Sequence, residues 1–96
     1  MRITKFGHSC LLVEEGNARI LIDPGSWGNP PDGLDGIDVV LVTHEHHDHY
    51  YTDHLRKILT VNPQAIIYSN ESVRELAKKE NIPVQILAHK QEILVK

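Results

Sequence analysis

IDVVLVTHEHHDHYYTDHLRKIL, residues 37 to 59, carries three kinds of patterning in one run. Residues 37 to 42 are almost continuously apolar, as expected of a strand buried on both faces. From Leu55 the apolar residues Leu55, Ile58 and Leu59 recur at helical intervals, and Asn62-Pro63 stops the pattern. Between strand and helix lies THEHHDHYYTDH (43 to 54), with five histidines and two aspartates. A strand that runs through a polar turn into a helix is one unit of an α/β sheet. The carboxyl end of such a strand is where open α/β sheets bind ligands.

The residue types in the turn suit a metal ion. Borderline cations such as zinc take imidazole nitrogen and carboxylate oxygen at about 2.0–2.2 Å. In an extended segment His44 and His46 point the same way, whereas Glu45 and His47 point away. Asp48 and His49 follow where the chain turns into the helix and can swing towards a neighbouring centre. The spacing H-x-H-x-D-H can therefore feed two adjacent ions. We expect His44, His46, Asp48 and His49 to be ligands, with the start of the helix helping to hold Asp48 ionised. Glu45 and His47 read as solvent-facing or supporting residues. His54 belongs to the helix, and His89 to a surface turn.

The flanking sequence extends the sheet. RITKFGHSCLLVEE is β-rich but interrupted by Gly7, and RILID follows the turn EGNA, so an antiparallel meander is expected. As one strand, the first segment would place Phe6, His8, Cys10 and Leu12 on one face. Residues 24 to 36, PGSWGNPPDGLDG, form a loop long enough to suggest a role. Thr52 or Asp53 is available to start the first helix. AIIYS reads as a strand, and NESVRELAKKEN as a helix capped by Asn70 with an apolar stripe of Val73, Leu76 and Ala77. PVQILA and EILVK read as two further strands. The expected architecture is a single α/β domain over residues 1–96, a mixed sheet with helices on one face.

Composition narrows the function. With 10 Lys and Arg against 13 Asp and Glu, the net charge of −3 gives no basic surface for nucleic acid. No apolar run approaches the roughly 20 residues that cross a bilayer. The lone Cys10 suits a reducing compartment, and MRITKFGHSC is not a secretory signal. These features lead us to expect a cytoplasmic protein with neither nucleic-acid nor membrane partners.

THEHHDH matches T-H-x-H-x-D-H at every defined position, and FGHSCLLVE (6–14) and ILIDPG (20–25) precede it in order. In these motifs the chain resembles the metallo-β-lactamase-fold hydrolases, in particular the branch containing L-ascorbate-6-phosphate lactonase and predicted zinc-dependent hydrolases. The resemblance implies half of an αββα sandwich. It implies that His44 and His46 bind a first metal and Asp48 and His49 a second, with Asp48 as the catalytic residue that orients or deprotonates water. Asp23 would lie beneath the centre, His8 at the pocket rim, and Trp27 along a substrate pocket. The ions would be divalent, zinc foremost; manganese and iron suit the same ligands. The reaction would be hydrolysis of an ester, lactone, amide or phosphodiester in a small-molecule substrate that the sequence does not name.

The family completes its site with a further histidine, a bridging aspartate and a final histidine, none of which is identifiable here. The resemblance therefore implies the N-terminal half of a domain, with little activity alone and a sheet face lacking its partner layer. That face is expected to meet a C-terminal half or a second copy. The alternative is a non-catalytic metal-binding module that self-associates through the same face.

Overall fold

The computed structural model describes residues 1–96. Chain order runs β1 (Arg2–Lys5), β2 (Leu11–Glu15), β3 (Ala18–Ile22), β4 (Val39–Leu41), α1 (Thr52–Val61), β5 (Ile66–Ser69), α2 (Glu71–Lys79) and β6 (Gln85–Ile86). The six strands form one sheet in sequence order. β1, β2 and β3 pair antiparallel, and β3, β4, β5 and β6 pair parallel. The sheet is therefore mixed, and each parallel step after β4 is spanned by a helix, as such crossovers require.

Strand register explains the core. Leu12 lies opposite Leu21, Leu21 opposite Val40, and Val40 opposite Ile67. This row is closed to solvent and shares one hydrophobic cluster with Leu55 and Ile58 of α1 and Val73 and Ala77 of α2. Both helices thus pack on the same face. Each such side chain contributes about 1.5–3 kcal/mol on burial. The alternate row Ile3, Val13, Ile20, Val39 and Ile66 faces the other way. Only its centre is well covered: Val39 is 6% exposed, against 62% for Ile3 and 44% for Ile66.

Three expectations are corrected. The first β segment is not one strand: it folds back between Lys5 and Leu11, and Phe6 N donates to Cys10 O at 2.8 Å. Gly7 makes this turn at φ +86°, a region open to glycine at little cost. Phe6, His8, Cys10 and Leu12 therefore do not share a strand face; Cys10 is buried in the core and His8 is exposed. PVQILA pairs only at Gln85 and Ile86. EILVK forms no strand. Its end instead runs back towards β3 and β4, where Lys96 Nζ lies 3.2 Å from Asp38 Oδ1 and 3.5 Å from Asn17 O. As expected, α1 begins at Thr52 with Asp53 in its first turn, and extended Tyr51 before it makes no side-chain cap bond.

In α2 the expected stripe is buried at Val73 and Ala77 but leaves Leu76 exposed. Asn70 caps α2, its side chain accepting from Val73 N at 2.9 Å, and Lys78 and Lys79 lie in the last turn. Asn62 ends α1 and ties it to the long loop, donating to Leu34 O and Ile58 O and accepting from Ile37 N. No helix is long and apolar enough to cross a membrane.

Candidate metal centre

The centre is built from the ends of β3 and β4. Asp23, one residue beyond β3, is 4% exposed and adopts φ +51°. Its Oδ1 accepts from Thr43 N at 2.7 Å, and its Oδ2 accepts from the Thr43 hydroxyl at 2.8 Å. His49 Nδ1 lies 2.7 Å from the same Oδ2. One carboxylate thus ties both ends of the histidine turn to the strand below it.

The hydrogen count assigns the tautomers. A carboxylate only accepts, so His49 Nδ1 carries a hydrogen, and Nε2 is the nitrogen left for the cluster. The one Thr43 hydroxyl hydrogen is given to Asp23, so the Oγ1 accepts from His44 Nδ1, 2.9 Å away. His44 is then also Nδ1–H with Nε2 free. A carboxylate behind ligating imidazoles, direct or through a hydroxyl, is the usual means of orienting metal ligands.

The turn itself is short. His49 N and Tyr50 N both donate to His46 O at 2.9 Å. His44, His46 and Asp48 each present one donor atom, and the three atoms lie within 4.8 Å of one another. Tetrahedral bonds of about 2.0–2.1 Å need donors roughly 3.3 Å apart, so the three side chains must draw in by up to about 1.5 Å to close on an ion. His49 borders it: its ring centroid is 4.0 Å from that of His44, and its Nε2 is 3.3 Å from Asp48 Oδ2. The geometry thus groups Asp48 with His44 and His46 and also keeps it against His49.

Asp48 also meets His8, whose Nε2 lies 3.1 Å from Asp48 Oδ2. Partial desolvation would raise this carboxyl, but the His8 hydrogen bond and the His49 charge outweigh it and hold the group below the ordinary carboxylate range. The expected helix contribution is displaced, because α1 begins only at Thr52. The base of the turn is wedged on residues 9 and 25. Ser9 Oγ donates to Asp48 O at 2.5 Å. A Cβ on Gly25 would fall inside the backbone of Asp48 and His49, so glycine is needed there for close approach.

The remaining candidates divide cleanly. His47 turns away from the cluster to Ser26 Oγ, 2.7 Å from its Nδ1, and stands against Trp27. Glu45 is exposed. His54 stays outside the cluster, its Nδ1 bonding Gly25 O at 3.0 Å. His89 is exposed. Sequence reasoning missed Thr43, Ser9, Ser26 and Gly25 as supports. Only Thr43, a hydroxyl directly before the first histidine, offered a local signal.

Residues 2–93 match the Beta-lactamase superfamily domain. Protein Rv0786c of Mycobacterium tuberculosis is 43% identical over 70 residues, which is 73% of this chain and 33% of that protein. A UPF0173 metal-dependent hydrolase of Flavobacterium johnsoniae is 31% identical over 94 residues, covering 93% of this chain and 40% of its own length. A crystal structure from Parabacteroides distasonis, described as that of a metal-dependent hydrolase, superposes with TM-score 0.69 at 26% identity. It covers 86% of this chain and 36% of that one. The isothiocyanate hydrolase from Delia radicum gut bacteria, at 18% identity and TM-score 0.75, shares the fold over 98% of this chain and 44% of its own. The chain thus spans about a third of its first curated relatives. By the match over nearly its whole length, this chain belongs to the Beta-lactamase superfamily domain family, alongside the UPF0173 metal-dependent hydrolases.

Proposed function

We propose that this chain supplies the metal-holding part of a hydrolase active site, with zinc the favoured divalent ion. The observation that carries the proposal is the convergence of His44, His46 and Asp48 above a network that engages Nδ1 of His44 and His49 and leaves Nε2 of each for an ion. Two imidazoles and a carboxylate are a donor set used for catalytic zinc, with a position left for water. A divalent ion held there supplies Lewis acidity and a bound water acidic enough to attack an ester, lactone, amide or phosphodiester.

The chain's own residues do the rest. Asp48, kept a carboxylate by His8 and His49, offers one oxygen to the ion and another to orient water or take its proton. Asp23 and Thr43 hold the histidines in their ligating tautomers. His8 fixes the Asp48 carboxylate. Trp27 stands beside the cluster as a pocket wall. Manganese and iron suit the same donors. Because the site lies open on one sheet, with little to exclude water, turnover by these 96 residues alone is expected near background.

The test is zinc affinity together with hydrolysis of a lactone and a phosphodiester, compared with His44→Ala/His46→Ala. Equal zinc affinity in both proteins defeats the ligand assignment. Rapid turnover that depends on Asp48 overturns the expected inactivity.

A second reading is favoured by the half-exposed row Ile3, Val13, Ile20 and Ile66: a non-catalytic metal-binding module that pairs through this face. Sedimentation decides it. A dimer dissociated by Ile20→Lys supports pairing, and a monomer at all concentrations removes it.

A further inference from the structure

Trp27 is the one tryptophan of the chain and is 59% exposed, beside the candidate metal centre. Its exposure is not that of a loose loop tip. Trp27 O accepts from His8 N at 3.3 Å, and the flanking Gly28 bridges Gly7 and donates to Gly25 O at 3.0 Å. A Cβ at Gly7 would come within 2.8 Å of Trp27 O, so the two loops are in direct backbone contact.

The indole is held through its ring as well. The His8 imidazole meets it at 5.0 Å and 84°, and the His47 imidazole at 4.9 Å and 88°. Each imidazole is tied down in turn, His8 by Asp48 at 3.1 Å and His47 by Ser26 at 2.7 Å. One of these anchors, Asp48, is a member of the three-donor cluster. A large apolar surface is thus fixed at both backbone and ring, left mostly in water, and connected by a single side chain to the cluster. An indole already held in one orientation receives a ligand at little ordering cost.

The geometry points to Trp27, braced by His8 and His47, as the recognition surface for a planar aromatic group whose carbonyl or carboxylate end reaches the His44–His46–Asp48 cluster. This deepens the proposed function and rests on it for the anionic end only. A flat indole held upright between perpendicular rings favours a second flat ring, stacked with offset or edge-on, over an aliphatic group. The class is an aromatic carboxylic acid derivative, with benzoate and acetate as matched probes.

The experiment titrates the zinc-loaded chain with benzoate and with acetate by calorimetry, using Trp27 fluorescence as a second readout. We expect benzoate to bind about fivefold to tenfold more tightly than acetate. Trp27→Ala should bring the ratio close to one, and Trp27→Phe should keep most of the preference. Equal affinities for the two probes, with zinc bound, overturn the aromatic surface and leave the metal centre standing. If zinc does not bind, the metal reading falls. The surface is then judged on the metal-free chain by saturation-transfer NMR with phenol and methanol. Transfer to phenol that is lost in Trp27→Ala upholds it, and no transfer overturns it.

Discussion

Replacing Asp23 by Asn isolates the tautomer argument from sterics and backbone strain. Asn has the same shape and tolerates the left-handed φ of +51° about as well as Asp does. What changes is one acceptor oxygen, which becomes a donor. Asp23 accepts three hydrogen bonds, from Thr43 N, the Thr43 hydroxyl and His49 Nδ1. An amide cannot reproduce this in either orientation. With its NH₂ at the Oδ1 position it faces the Thr43 N–H, a donor against a donor. With its NH₂ at the Oδ2 position it faces the Thr43 hydroxyl and His49. In the second arrangement the Thr43 hydroxyl and His49 Nδ1 must both accept, so the Thr43 hydrogen turns to His44 Nδ1 and both rings carry their hydrogen on Nε2, facing the cluster. Loss of such an orienting partner costs about 10- to 100-fold in metal affinity, or about 1.4–2.7 kcal/mol at 1.36 kcal/mol per decade. Competition with a chromophoric chelator measures the zinc affinity, and nitrogen-15 NMR of the histidine rings reports which nitrogen of His49 is protonated. Zinc affinity within twofold of wild type would refute the reasoning. So would a His49 that keeps its hydrogen on Nδ1.

Three further outcomes follow from the same geometry. Gly25→Ala places a methyl inside the Asp48–His49 backbone, so the turn must move; zinc affinity should fall at least about tenfold, as for loss of an orienting support, while far-ultraviolet circular dichroism keeps its native shape. Cys10 should resist alkylation at pH 8: burial, and secondarily the Asp23 charge, push its thiol up to about 12. Its native labelling by iodoacetamide should therefore run on the order of 10³-fold slower than in urea. Because the Asp48 carboxyl is lowered in the folded chain, it stabilises the fold above its unfolded value of about 3.9 and loses that contribution as pH falls through the folded value. The urea midpoint of the metal-free protein should thus drop more steeply below about pH 4 than that of Asp48→Asn, and parallel curves would contradict the pairing with His8 and His49.

The parts of the fold legible in the sequence rest on local chemistry. Asn70 caps α2 because its side chain needs only the N–H three residues on. The turn after β4 was readable because ligand-type residues follow a buried strand within a few positions. What escaped depends on distant partners. The reversal at Gly7 sits among good strand formers, and its cause is the Gly7–Gly28 bridge, with Trp27 backbone close by. EILVK has strand propensity but no partner, since β6 is only two residues long. In the site, Thr43 could be placed beside His44 by adjacency, but the proton order through Asp23 needed a carboxylate 20 residues earlier. Ser9 and Ser26 support the turn across separations of 39 and 21 residues, which no periodicity reveals.

The most direct test of the metal centre is anomalous diffraction at the zinc edge from crystals of the zinc-loaded chain. The account predicts a peak bonded at about 2.0–2.2 Å to Nε2 of His44, to His46 and to Asp48, with Asp23 still joined to His49 Nδ1. A zinc ion held only elsewhere, with these side chains turned apart into solvent, would contradict it.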